Sequence, residues 1–355
     1  MRKLSQIILF FFLCSIFISF PEIRNVKAIG TVYIRSDGST EGAGLKFSDE
    51  VYWFTGDIYG QIVIEKDGVT VDGSGYLLHA MNEGGILLLN RSGVALRNIE
   101  IVDSPFGVKI VDGRNNEVRL SNCSINLENT TGNSIYLNKK ISLLFSNSSK
   151  NIVTENNVTG SPVYGIKLQK FSSENIICSN NITDNTSGVE FHGNSCNNTV
   201  YENHVDNNAD GMIFYYDSNN NTVYNNTIAF NSNSGIFFRG SSNNRFFRND
   251  IVQNEQQTIC WYCTNIWDNG RQGNYWSDYN GTDADGDGVG QEPYLILTLH
   301  LDGEHYDADN YPVVDEFKIP EFPSWTPLLI ITVALVVVAM IYRRRLSNQN
   351  QRGEN

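Results

Sequence analysis

The segments GIKLQKFSSENIICSNNITDNTS (165–187), GVEFHGNSCNNTVYENHVDNNAD (188–210), GMIFYYDSNNNTVYNNTIAFNSNS (211–234) and GIFFRGSSNNRFFRNDIVQNEQQ (235–257) superimpose along their length. Their opening glycines, Gly165, Gly188, Gly211 and Gly235, stand 23, 23 and 24 residues apart. One asparagine returns with the same period, at Asn156, Asn180, Asn203, Asn226 and Asn249. Two residues later comes an aliphatic side chain: Val158, Ile182, Val205, Ile228 and Ile251. Three residues earlier stands another apolar one: Val153, Ile177, Val200, Val223 and Phe246. After each glycine the residues alternate, as in Ile166-Lys167-Leu168 and Val189-Glu190-Phe191. Such alternation in short runs broken by Asn, Ser and Gly reads as short strands and turns. No helical spacing interrupts it between Val32 and Tyr311.

A unit of this length cannot bury an apolar face alone, whereas stacked copies bury a continuous core. The expected fold is all-β: a right-handed parallel β-helix of about eight coils of about 23 residues, followed by one C-terminal transmembrane helix. Each coil holds three strands, and coils stack at the ordinary strand spacing of about 4.8 Å. The recurring asparagine would tolerate the left-handed backbone of a tight corner and bond to its counterpart one coil away. A leucine-rich horseshoe shares the period but needs a leucine consensus and a helical return, and neither occurs. Weaker coils begin at Ile62, Gly85 and Gly107, and 133–164 reads as one coil with an insertion. The expected organisation is a signal peptide (1–28), an N-terminal cap (29–60), the β-helix (61–258) and a C-terminal cap with an acidic loop (259–318). A linker, the transmembrane helix (325–342) and a basic tail complete it (319–355).

The ends carry the targeting. Arg2 and Lys3 precede an apolar run from Leu4 to Phe20, and Val26-Lys27-Ala28 supplies a small-residue cleavage pattern. At the other end, Trp325 to Tyr342 is uncharged, and Arg343, Arg344 and Arg345 follow directly. Eighteen residues at 1.5 Å each just cross a hydrocarbon core of about 30 Å. Basic residues mark the cytoplasmic side, so the body is expected outside, at the cell surface. The chain has 26 Lys+Arg and 39 Asp+Glu; without the four basic and one acidic residue at each end, the body holds 18 against 37, about −19. That balance argues against nucleic acid as a partner. Cys260-Trp261-Tyr262-Cys263 lacks a second cysteine pair or a nearby histidine for zinc and reads as a local disulfide or free thiols.

Two further stretches carry a resemblance. One runs from Ile64 to Tyr76, IEKDGVTVDGSGY. The other comprises Trp267-Asp268-Asn269-Gly270, Gly273 to Tyr279 (GNYWSDY), Asp285 to Gly290 (DGDGVG) and Asp309-Asn310-Tyr311-Pro312. Together with the coils, they resemble the NosD-like β-helix proteins, related to carbohydrate-binding and sugar-hydrolase β-helices, and in particular their archaeal surface members. Pro320-Glu321-Phe322 ahead of the apolar run resembles an archaeal sorting tail; a simple membrane anchor is the alternative.

Several residues are candidates for chemistry. Asp283, Asp285 and Asp287 have the alternating oxygen ligands and glycines of a calcium loop, although Tyr294 replaces its bidentate glutamate. Ca2+ is the one cofactor expected. Stacking would place Gln169, His192, Tyr215 and Arg239 in one outward column and Cys178, Tyr201, Tyr224 and Phe247 in another. Aromatic faces beside polar groups suit sugar rings, so His192, Tyr201, Tyr215, Tyr224 and Arg239 are the candidate ligand-binding residues; plain aromatic stacking is the competing explanation. No catalytic residue is assigned. Asn208-Ala209-Asp210-Gly211 resembles a polygalacturonase segment, but its histidine, His192, comes first and no aspartate pair lies between. Copper transfer, which the resemblance implies for some members, wants clustered histidines, and His192 and His204 fall on different strands. Eleven Asn-x-Ser/Thr sequons imply some glycosylation. The reading that results is a non-enzymatic surface β-helix. Its expected partners are a polysaccharide or a surface glycoprotein, and the membrane through its helix. The alternatives are a polysaccharide-active enzyme of lyase, hydrolase or epimerase type and an accessory protein for an exported metalloenzyme.

Overall fold

A computed structural model describes residues 28–317 except 82 and 83. The signal peptide, transmembrane helix and basic tail lie outside these residues. Among the described residues no helix is long and apolar enough to cross a membrane. They form a parallel β-solenoid of the right-handed type, with about ten turns.

The column Val158, Ile182, Val205, Ile228 and Ile251 is in register and wholly buried. The apolar column from Val153 to Phe246 runs beside it in a second sheet. A third sheet, the longest, has 14 strands, and its starting glycines face the next coil so closely that no Cβ fits: one on Gly188 would lie 2.5 Å from Gly211 O.

The expectation of eight uniform coils is corrected in the middle of the rod. Val108 pairs with Ile125 and Ile125 with Leu143, so these coils have 17 and 18 residues. They omit the third strand, and only the bridges Glu100–Asn122 and Lys139–Asn157 mark that side. Residues 133–164 are therefore not one coil with an insertion. Two short coils repeat the corner residues but not the full period. At the N-terminus, Val32–Ile34 and Val51–Phe54 already pair in parallel with the next coil, and antiparallel Thr40–Glu41 and Leu45–Ser48 close the edge.

The corners are held by buried asparagines. Asn203 donates from its backbone N (3.0 Å) and its Nδ2 (2.9 Å) to Asn226 Oδ1 on the next coil. Its Nδ2 also reaches Ile177 O, 2.9 Å away on the preceding coil. The pattern repeats from Asn138 to Asn274. Two more ladders run beside it: Asn116 to Asn265, and Asn185, Asn208, Asn231 and Asn254. The expected left-handed role is corrected. The residues with positive φ are those just before the ladder: Glu155, Ser179, Glu202, Asn225 and Arg248. The preceding residue takes the corner strain and faces outward, so the asparagine can turn in.

A ladder must end somewhere, and two aspartates end two of these. The hairpin Tyr294–His300 and Gly303–Asp309 folds over the last coil. Asp309 Oδ2 accepts from Asn274 N (2.7 Å) and Trp276 Nε1 (3.0 Å), and Asp307 Oδ2 accepts from Asn265 N (2.7 Å). Asn310 Nδ2 bonds Asp268 Oδ2 at 3.1 Å. The sequence pieces WDNG, GNYWSDY and DNYP thus meet as one cap. Burial pushes Asp309 up to about 6 against the donors that favour its charged form, and it pushes Asp307 up as well.

Asn203→Ala removes the acceptor for two groups of Asn180 and strands Ile177 O, so it should cost about 3–6 kcal/mol at 1–3 kcal/mol per unsatisfied group. The outward Thr222→Ala is its control, and equilibrium unfolding that finds the two alike would remove the ladder from the account. The cap makes a second prediction. A carboxyl with its folded pKa above its unfolded value keeps a proton that the unfolded chain releases, so its contribution is present below pH 4 and is lost as pH rises through about 6. The melting temperature of the chain relative to Asp309→Asn should fall across that window, by the equivalent of about 3 kcal/mol at 1.36 kcal/mol per pKa unit. A parallel pair of curves would refute this.

Candidate functional site

Alternation along the long sheet sends two columns outward. Lys167, Glu190, Ile213, Phe237 and Ile259 form one; Gln169, His192, Tyr215, Arg239 and Trp261 form the other. Strand residues 190 and 213 are outward by register yet buried, because the larger neighbours close over them. Lys167 Nζ donates to Glu190 Oε1 at 2.6 Å in this half-covered setting. The His192 ring meets Tyr215 and Tyr216 edge-on, at centroid distances of 6.0 and 5.1 Å. Phe237 lies edge-on between Tyr215 (5.5 Å) and Trp261 (5.3 Å), and the Arg239 guanidinium is 5.9 Å from the Trp261 ring centre.

The electrostatics follow from the same crowding. Burial pushes the His192 imidazole down, Lys167 adds to that, and Glu190 opposes it. The ring is therefore neutral at pH 7 and able both to donate and to accept. Burial pushes the Tyr215 phenol up, with Glu190 and Asp210 adding to it, so it stays a donor. Asp210 begins a strand, in register with Ser187 and Ser234, and accepts from Ser234 Oγ (2.5 Å) and Asn233 Nδ2 (2.7 Å). It is tied into the corner and does not project as a catalytic acid. This surface can bind a chain of rings with donors, acceptors, a fixed cation and aromatic edges.

The structure brings His192, Tyr215 and Arg239 together and puts Tyr201 and Tyr224 on a different sheet. Tyr201 and Tyr224 stack with centroids 5.2 Å apart and planes 8° apart, and Tyr224 stacks on Phe247 at 5.2 Å and 3°. Their faces are spent on each other, leaving only edges for a ligand. A hydrogen bond to Cys178, then burial, pushes the Tyr201 phenol up to about 12. Reading from the sequence missed Lys167, Glu190, Phe237 and Trp261. The alternation after each glycine marked the first three, but Trp261 was hidden inside a cysteine pair, which here is a disulfide. The sequence also showed no charged acid–base pair in one column, whereas Lys167 and Glu190 are one. Of the sequons, Asn185 is buried in a ladder and out of reach of a glycan.

For metals, the carboxylate oxygens of Asp283, Asp285 and Asp287 come within 4.8 Å of one another. Asp283 also accepts from Gly286 N (2.7 Å) and Gly288 N (2.8 Å), which holds its carboxyl below the usual range. An all-oxygen set suits a hard cation. Copper wants nitrogen or sulfur. His300 and His305 lie 4.8 Å apart, but their Nε2 atoms bond Cys263 O and Asp302 Oδ1, and no histidine or cysteine group of three converges among the described residues. The residues present do not fit copper.

Comparison with curated proteins finds no match. Among solved structures, the chain is similar to the periplasmic alginate epimerase AlgG, with 18% identity over 60% of this chain and 68% of that one and a TM-score of 0.35. It is similar to the A-module of Azotobacter vinelandii mannuronan C-5 epimerase AlgE6, with 12% identity over 62% and 83% and a TM-score of 0.39. It is also similar to a mutant tailspike protein of an E. coli bacteriophage in complex with a hexasaccharide, with 11% identity over 72% and 60% and a TM-score of 0.44. Residues 60–281, well over half of the chain, match the family described as periplasmic copper-binding protein (NosD). Coils, corners and most of the cap fall within that match, and the chain belongs to the NosD family.

Proposed function

We propose that the protein is a surface-anchored, non-enzymatic β-helix that binds envelope or extracellular glycans along the outward face of its long sheet. The observation that carries this is the continuous run of His192, Tyr215, Phe237, Arg239 and Trp261, in which aromatic edges alternate with a guanidinium and a neutral imidazole. Sugar rings present apolar faces and hydroxyls together, and such a strip answers both. The uncharged run Trp325 to Tyr342 followed by three arginines supports a membrane anchor with the body outside. A polysaccharide-active enzyme is the second reading. It is favoured by the Lys167–Glu190 pair beside neutral His192, and it predicts product release from any glycan that binds.

A glycan array probed with the full chain should retain a polysaccharide. Tyr215→Ala and Arg239→Ala should each weaken that binding by about tenfold or more, near 1.4 kcal/mol, while Tyr224→Ala should leave it unchanged. Retention of no glycan, or equal loss in all three variants, would refute the site. The acidic loop supports a weak Ca2+ site in the cap. Millimolar calcium should raise the melting temperature relative to chelator, and Asp285→Asn should abolish the shift, since a ligand held only by the folded state stabilises it. Identical scans would dismiss calcium.

A further inference from the structure

Toward its C-terminal end the outward face of the long sheet turns apolar. Trp261 is in register with Leu299 of the terminal hairpin. Along Tyr294–His300, Ile296 and Thr298 point inward, while Leu295, Leu297 and Leu299 point out, at 61, 43 and 40% exposure. Leu301 in the hairpin turn is 92% exposed, and Tyr306, opposite Leu297, is 58% exposed. Elsewhere on the long sheet, outward positions carry Lys, Glu, Gln, His or Arg. A strand with leucine on both faces, ending in an open edge, is the pattern that soluble surfaces avoid.

We infer that this leucine and aromatic surface rests in the interfacial layer of a lipid bilayer. The inference rests on the anchor reading above. Three observations favour lipid as the occupant. The last described residue, Phe317, donates its backbone N–H to Asp250 (2.8 Å), and Trp325 follows eight residues later. Eight extended residues reach about 27 Å at most, so an anchored rod keeps its C-terminal end near the bilayer. The composition is that of an interface, with leucines beside Trp261, Tyr262 and Tyr306, whose rings are apolar with one polar tip. Between Tyr294 and Tyr311 there is no lysine or arginine, while Asp302 and Glu304 are present. This charge pattern favours neutral or zwitterionic headgroups and disfavours anionic ones.

The test reconstitutes the full chain into phosphatidylcholine vesicles with plain or acyl-brominated lipid and follows tryptophan emission. The emission lost in Trp261→Phe reports the surface, and that lost in Trp325→Phe reports the anchor. Both should be quenched at least twofold by bromine. Leu297→Ser with Leu299→Ser, both at exposed positions, should restore the Trp261 emission and leave Trp325 quenched. If Trp325 is quenched and Trp261 is equally bright in both lipids, the docking fails and the anchor stands. If neither is quenched, both fail. If Trp261 is unquenched by bromine yet shielded from iodide only at high protein density, the surface pairs with a second copy and the lipid inference is overturned.

Discussion

Burying a backbone corner leaves polar groups that must be bonded, and in this protein asparagine meets that demand coil after coil. Each short strand ends after about three residues, so a coil has several corners and each corner exposes amides to the core side. An asparagine side chain carries one acceptor and two donors, matching the N–H on one coil and the carbonyl on another. Its placement follows from the residue before it, such as Glu202, which accepts a left-handed φ of 55° and turns outward. With the corners satisfied, valine, isoleucine and phenylalanine fill the interior in columns. The Phe191, Phe214 and Phe238 rings stack one above another at centroid spacings of 4.6 and 4.9 Å, close to the strand spacing.

A ladder of this kind has an open last rung, and the terminal hairpin closes it. Asp307 and Asp309 lie two residues apart on one strand and so share a face. Each meets the end of a different ladder. A carboxylate accepts without needing to donate onward, which makes aspartate a terminator where another asparagine would extend the row. The cost is a charge held in a desolvated place, and it appears as the raised pKa of both groups. At the other end, Asp72 accepts from Arg97 Nε at 2.6 Å and from Ser74 N at 2.8 Å. That carboxyl has a cation beside it.

With the interior this regular, the outside is free to differ from coil to coil. Along the long sheet the outward columns pass from the Lys167–Glu190 pair through His192 and Tyr215 to Trp261 and the hairpin leucines. One face therefore grades from polar through mixed aromatic to apolar over a few coils. The glycan reading uses its middle and the lipid reading its end. Neither disturbs the ladders inside.

Repetition made the fold legible from the chain alone. The period, the alternation after Gly188 and Gly211, and the column from Val158 to Ile251 need only local sequence, because a solenoid's contacts lie one repeat away. The His192, Tyr215 and Arg239 column followed from the same offset. The short coils at 108–142 could not be read this way, since a coil that drops one strand loses the period while keeping its corners. The roles of Asp307 and Asp309 were equally hidden: their partners, Asn265 and Asn274, lie 42 and 35 residues earlier, at distances no repeat relates. Tyr201 and Tyr224 looked equivalent to Tyr215 in sequence, and only packing separated them, because stacked rings have no free face. What depended on the next coil could be read from the repeat, and what depended on the way the chain closes its own ends could not.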